Sequence, residues 1–296
     1  MRFTAWLVLA ATLLLWSGNW IVARAVREDI SPGLATIGRL IIVLAILGPF
    51  ALRGLRGKLP LLRTREWLVL AALGFTGGGP HLALQWLGLH YTTAASAILY
   101  LSTTPIFILL MMLPFGERIA LRQWGGVAVS FCGVALIATQ GNPVALSFNI
   151  GDLLALASMM MWAGYTVLLA QRRDALGVIE LLVTVCAFGL LFMLPWLALE
   201  ISSGARIALS GRGTWAVLYS AIGSLLLAYA GWSYVVARLG AARAGVTLHL
   251  MPAMGVLLSI IFLGEYPRWF HFAGIALILA GVALSSFRKS GSEPNY

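Results

Sequence analysis

The sequence is short of charge, and shortest of acid: only 10 Asp and Glu accompany 20 Lys and Arg in 296 residues, so charged types make up 10% of the chain. A soluble domain carries roughly 25% charged residues. A water-facing surface cannot be clothed at the lower density, which excludes a soluble fold. Cysteine is nearly missing as well. Cys132 and Cys186 both sit in apolar runs without a partner at metal-ligand or redox-motif spacing, and they point to neither chemistry. The chain lacks a Gly-x4-Gly-Lys-Ser/Thr phosphate loop, which excludes direct ATP hydrolysis. No Asp or Glu lies deep in an apolar run, which removes the usual carboxylate carriers of protons and sodium.

What the chain does have is apolar length. Apolar types make up 60% of it, and breaks rich in charge, Gly, Pro or Asn divide it into ten runs of the length a membrane-crossing helix needs. They cover 3–26, 32–52, 66–87, 94–113 and 121–139, then 150–170, 178–201, 214–237, 242–263 and 267–287. The first run is longer than a signal-peptide core and has no cleavage site of small residues, so it reads as a permanent span. The net charge of +10 is a topology signal and not a nucleic-acid footprint, because the basic residues lie in the short breaks. Counted by alternate connection, one side holds Arg2, Arg53, Arg56, Lys58, Arg63, Arg65, Arg118, Arg122, Arg172, Arg173, Arg238, Arg243, Arg288 and Lys289. The other holds Arg24, Arg27, Arg206, Arg212 and Arg268. Fourteen against five places both termini in the cytoplasm.

The chain also repeats itself. A shift of 148 positions sets Trp67 on Trp215, Gly116-Glu117 on Gly264-Glu265, Gly126 on Gly274, and residues 133–136 on 281–284, both Gly-Val-Ala-Leu. A shift of 146 sets Trp16 on Trp162 and Gly18 on Gly164. Two units follow, 3–139 and 150–287, with 140–149 connecting them. Each has five crossings, an odd number, so the copies enter the membrane from opposite sides, an arrangement found in transporters. The expected fold is therefore an all-α polytopic membrane protein of ten helices in two inverted five-helix repeats.

Polar side chains in hydrocarbon are costly unless they are bonded internally or line a wet cavity, so their positions map such a cavity. His81 and Gln85 share one face of the third span, and the shift sends them to Tyr229 and Ser233 on the eighth. Trp16 and Trp162 each lie about 18 Å into their spans, far from the boundary that Trp usually occupies. Asn19 and Trp20 extend the face of the first, and Tyr165 and Thr166 that of the second, making amphipathic aromatic surfaces suited to a flat ring. Trp6, Trp67, Trp86, Trp124, Trp215 and Trp269 fall near span ends and read as boundary anchors. The fourth and ninth spans add Tyr100, Thr103 and Pro105, and His249 and Pro252, where proline breaks the helix and frees carbonyls.

Gly77-Gly78-Gly79-Pro80 interrupts the third span, whereas its counterpart in the eighth, 225–228, reads as a regular helix, so a hinge or a static kink is expected on one side only. Arg39 stands about 10 Å inside the second span. It either docks a substrate carboxylate or snorkels towards Glu28, Asp29 or Asp152. The Gly-Glu pairs end the fourth and ninth spans at opposite faces, where each Glu reads as a helix-end carboxylate or as a seal paired with a nearby Arg or helix end.

On the mid-span Trp16 and Trp162, the intramembrane Arg39, the Gly-Glu pairs and the Gly-rich fifth and tenth spans, the whole chain resembles the drug/metabolite transporter superfamily, in the form built from two EamA units. Within it the chain is similar to bacterial exporters of aromatic amino acids. The resemblance implies helices surrounding a central cavity in the bacterial inner membrane, with the fifth and tenth helices packed together away from that cavity. It implies alternating-access export of small, apolar amino acids and related metabolites by a carrier without cofactors, working in lipid as a monomer or weak homodimer. Facilitated diffusion fits the missing carboxylates, and the alternative is a proton-coupled exporter of lipophilic drugs or other metabolites, with proton exchange through His81 and His249. An intramembrane enzyme or haem protein using the same two histidines belongs to a different class of reading.

Overall fold

The computed structural model describes residues 2–113, 121–142, 149–172, 174–204, 210–239 and 250–286, and every regular element among them is helical. The elements are α1 (Arg2–Ala25), α2 (Pro32–Lys58), α3 (Thr64–Leu73), α4 (Gly79–Tyr91), α5 (Ala94–Leu99), α6 (Thr104–Met111), α7 (Leu121–Ala138) and α8 (Ile150–Gln171). There follow α9 (Val178–Ser202), α10 (Gly211–Leu218), α11 (Ala228–Leu239), α12 (Leu250–Leu263) and α13 (Trp269–Ser286). Seven helical stretches among the described residues are long and apolar enough to cross a membrane, and three shorter apolar helices accompany them. The protein is a multi-pass membrane protein.

Local chemistry sets several helix starts. Ser31 caps α2 by accepting from Leu34 N at 3.3 Å, with Pro32 in the first helical position. Thr93, Asn149 and Ser210 cap α5, α8 and α10 in the same way. The fourth span is not one helix: α5 passes through a tight 3-10 turn at Tyr100–Thr103 before α6, just ahead of Pro105.

Wide π-helical turns stand at Gly74–Gly78, between α3 and α4, and at Tyr219–Leu227, between α10 and α11. The second corrects the expectation of a regular helix at 225–228. Gly79 N bonds to the Gly74 carbonyl and Ala228 N to the Gly223 carbonyl, each five residues back, so both spans are widened at matching places under the 148-residue shift. The glycines of the first turn admit close neighbours. A Cβ on Gly79 would come within 2.2 Å of the Gly189 carbonyl of α9, and one on Gly77 within 2.2 Å of the Tyr165 ring.

Helices α7 and α13 meet backbone to backbone. A Cβ on Gly133 would lie 2.5 Å from the Gly274 oxygen, and one on Gly281 would lie 2.4 Å from the Gly126 oxygen. The contacts run in opposite directions along the two helices, which are therefore antiparallel. Ser130 Oγ donates to the Ile278 carbonyl at 3.0 Å. Under the 148-residue shift Gly126 falls on Gly274 and Gly133 on Gly281, so each glycine touches the position on which the other falls. Ser130 meets the position on which it falls itself under that shift. Small residues here permit the close approach that holds helices together in lipid.

Candidate functional site

An aromatic set joins the two halves of the chain. Tyr229 on α11 makes edge contacts with Trp16 of α1 at 5.8 Å between ring centroids and with Trp162 of α8 at 6.3 Å. Trp162 stacks with Tyr165 at 5.0 Å and with His81 of α4 at 5.5 Å. Trp16 also packs on Trp232, at 5.5 Å. Tyr229 is the position on which His81 falls under the 148-residue shift, and Trp162 the one on which Trp16 falls under the 146-residue shift, so the contacts Trp16–Tyr229 and Trp162–His81 correspond under those shifts. Trp16, Trp162 and Tyr229 are half-buried, and His81 and Tyr165 are buried.

Hydrogen bonds fix these rings. Trp16 Nε1 donates to the Ser224 carbonyl at 3.0 Å, inside the second π turn, where a carbonyl is released from ordinary helix pairing. His81 Nδ1 lies 2.8 Å from the Ser158 carbonyl. A carbonyl only accepts, so the proton of the neutral ring sits on Nδ1 and Nε2 is left as the acceptor. Beside the rings, Ser220 Oγ donates to Asn19 Oδ1 at 2.7 Å, and Asn19 Nδ2 donates to Gln85 Oε1 at 3.5 Å, linking α1, α4 and the second π turn.

Three expected site residues lie apart from this set. Trp20 packs in the apolar core that includes Trp86, Leu89 and Ala97, so the aromatic face of α1 stops at Trp16. Tyr100 is wholly buried in the same core, and Thr103 Oγ1 turns back to the Tyr100 carbonyl at 2.6 Å, both in the 3-10 turn. Pro105 follows in α6, Pro252 falls in the first turn of α12 and Ser233 in α11, but their side chains lie outside those described. His249, Gly116 and Glu117 lie outside the described residues.

Arg39 does not snorkel. It is 2% exposed, its Nη2 donates to Thr36 Oγ1 at 3.1 Å, and its guanidinium carbon lies 5.1 Å from the Trp86 ring centroid. The expected partners are engaged elsewhere: Glu28 with Arg27, Asp29 with Arg212, and Asp152 with Thr92. Trp86, read from sequence as a boundary anchor, is 2% exposed, because α2 covers that face of α4, whereas Trp6, Trp124, Trp215 and Trp269 are exposed as expected.

Two carboxylates depart from their sequence reading or refine it. Asp152 begins a span yet is 4% exposed, since α8 starts tightly against the end of α4: a Cβ on Gly151 would meet the Gly88 oxygen at 2.6 Å. Thr92 Oγ1 donates to it at 2.5 Å, and among the described residues no cation pairs with it. Glu265 follows Gly264, whose left-handed φ of 65° turns the chain back at the end of α12. Its carboxylate meets Arg24 Nε at 3.1 Å and accepts from Ala94 N at 2.8 Å, capping α5. Arg24 Nη1 also donates to the Leu89 carbonyl at 2.7 Å. One ion pair thus ties the ends of α1, α4 and α12 to the start of α5.

Sequence reasoning missed Ser158, Ser220, Ser224 and Trp232. Trp232 was within reach of it, standing three residues beyond Tyr229 on one helix face. The serines gave no signal, because their roles depend on partners far away in the chain. Among the described residues no group of three His, Cys, Asp or Glu side chains gathers as a metal would require.

A family model described as the EamA-like transporter family matches residues 3–139 and 149–287. The chain belongs to this family. An uncharacterized transporter of Archaeoglobus fulgidus is 29% identical, over 96% of this chain and 97% of its own length. A probable terminal-alkyne amino-acid exporter of Streptantibioticus cattleyicolor is 26% identical, over 96% and 93%. A probable amino-acid metabolite efflux pump of Salmonella typhimurium is 25% identical, over 93% and 92%. A solved crystal structure shares the fold with a TM-score of 0.59 at 22% identity, across 97% of this chain and 98% of that one. The EamA-like chain is accordingly a membrane transporter of small molecules.

Proposed function

We propose that this transporter exports small, apolar amino acids, aromatic ones favoured, and related metabolites by alternating access. The observation that carries the reading is the aromatic set: Trp16, Tyr229, Trp162 and His81 bring rings from both halves of the chain together, about a dozen residues into α1 and α8. Flat faces and edges of this kind favour a ring or a compact apolar side chain. Two of the relatives are named for amino-acid or amino-acid metabolite export, which supports the same class.

The ten-helix, inverted-repeat architecture is part of the proposal. Its support is the exchange pattern of contacts, Gly126 with Gly281 and Gly133 with Gly274, then Trp16 with Tyr229 and Trp162 with His81. A two-fold axis in the membrane plane generates such pairs. In this reading Arg24 and Glu265 seal the outer face, the termini are cytoplasmic, and the bilayer is the bacterial inner membrane. Export then follows the substrate gradient.

Counterflow in proteoliposomes with phenylalanine, tryptophan, threonine and a lipophilic cation is the test. Exchange of the amino acids is expected, and movement of the cation alone would defeat the reading.

A second reading of the energetics rests on Asp152. A buried carboxylate with a hydroxyl donor and no cationic partner among the described residues has the surroundings of a proton carrier. Accumulation that needs a proton gradient and is lost in Asp152→Asn favours proton coupling over facilitated diffusion.

A further inference from the structure

Among the described residues Arg39 is a cation without a counter-ion. It is the largest of the fully buried side chains among the described residues, and its described hydrogen bond goes to a neutral hydroxyl, Thr36 Oγ1. Its Nε has no partner, and neither has Nε1 of Trp86, the ring against which the guanidinium lies. Two buried N–H donors are thus left open on side chains that lie against each other, one of them on a full positive charge.

Leaving them so is costly. A buried charge is stable when paired, and an unsatisfied buried donor forfeits the hydration it had in water. Stacking on an indole face compensates part of the charge but supplies no acceptor. The carboxylates near the outer part of α2 are committed: Glu200 takes bonds from Gly33 N at 2.9 Å, Ser31 Oγ at 2.7 Å and Trp196 Nε1 at 2.8 Å, and Asp152 takes one from Thr92. Among the described residues, therefore, the protein does not complete this site itself.

We infer that Arg39 and Trp86 form an anion subsite that takes the carboxylate of the transported molecule. A guanidinium fork matches the two oxygens of a carboxylate, and an indole N–H adds a donor that cannot be exchanged for an acceptor. The subsite and the aromatic set share α4, which carries Trp86 five residues after His81. A molecule with a carboxylate at Arg39 and a ring or short apolar group against Trp16, Tyr229 and Trp162 fills both. This rests on the proposed export of amino acids and sharpens it: the recognised group is the acid, so the class extends to apolar carboxylic acids without an amino group and excludes the matching amines. Chloride shares the anionic chemistry, and the test separates it.

The test uses purified full-length protein in detergent, with thermal unfolding read in a methanesulfonate buffer free of chloride and carboxylates, at rising concentrations of phenylacetate, phenylalanine, phenylalaninamide or phenethylamine. Phenylacetate and phenylalanine are expected to raise the Tm, and the amide and the amine to bind roughly ten- to a hundred-fold more weakly, the loss of a hydrogen bond to a charged group. Arg39→Gln removes the preference for acids, and Arg39→Lys retains part of it. Should Arg39→Gln fail to fold, Trp86→Phe, which keeps the ring and deletes one donor, is expected to weaken phenylacetate binding several-fold while leaving phenethylamine unchanged. Equal stabilisation by acid and amine, or acid preference untouched in Arg39→Gln, overturns the assignment. So does chloride alone, if it stabilises the protein and displaces phenylacetate. Acid-selective binding without counterflow of any amino acid would sink the export reading and leave this one standing, whereas counterflow indifferent to the carboxylate would do the reverse.

Discussion

Trp16 donates its indole N–H to the Ser224 carbonyl across a separation of 208 residues, at 3.0 Å. The bond ties the first aromatic of the site to the one stretch of the eighth span that departs from regular helix. Trp16→Phe keeps a ring and deletes the donor. We expect it to lower unfolding stability by about 1 kcal/mol, the usual net value of one hydrogen bond, seen as a reduced Tm in detergent. An unchanged Tm would mean that water takes over the carbonyl.

Trp162 touches His81, Tyr165 and Tyr229, and His81 is held by Ser158. Trp162→Ala and His81→Ala are expected to slow amino-acid counterflow at least about ten-fold, since an aromatic contact and a placed polar group are each worth of the order of a kcal/mol or more. Folded yield, read by size-exclusion profile, should hold. Normal rates in both variants would remove the two residues from the binding site.

The glycine seam predicts a contrast between chemically identical changes. Gly133→Ala would press a methyl group to 2.5 Å of the Gly274 oxygen, while Gly48→Ala, within α2, meets nothing within 4 Å. The first should cost about 1–3 kcal/mol by overpacking. The second should be neutral or mildly stabilising, because alanine favours helix over glycine. Melting curves of the two variants side by side make the comparison.

The Arg24–Glu265 pair predicts a change in access. Glu265→Gln keeps the shape of the helix cap and removes the charge on which the ion pair depends. With Cys132 and Cys186 replaced and a cysteine placed at Gln85, we expect faster labelling by a membrane-impermeant maleimide added outside. Equal labelling rates would show that the pair closes nothing.

What sequence could reveal follows from the range of the physics involved. Trp16 and Trp162, or the glycines of α7 and α13, stand out because period, depth and repetition are written along a single chain. The glycine of the Gly-Glu pair is legible for the same reason: its left-handed turn is a local demand, and Glu265 follows from it. The π turn at Tyr219–Leu227 is not legible, since nothing in a Leu-rich stretch announces that a distant indole will hold a carbonyl away from its helix. Trp86 and Asp152 mislead by position. Both sit near span ends, where exposure is the rule, and both are buried because α2 and α4 happen to cover them. Burial sideways, within the plane of the bilayer, leaves no trace in hydropathy.

The exchange of glycines between α7 and α13 bears on how such a chain could arise and be taken apart. In the proposed inverted-repeat architecture, such a contact can equally be made by two separate half-length polypeptides lying in opposed orientations. Cutting the backbone in the stretch between residues 142 and 149 and producing the pieces together should therefore yield a reassembled carrier, zipped along that spine. A mutation on one side of it would have to be answered on the other.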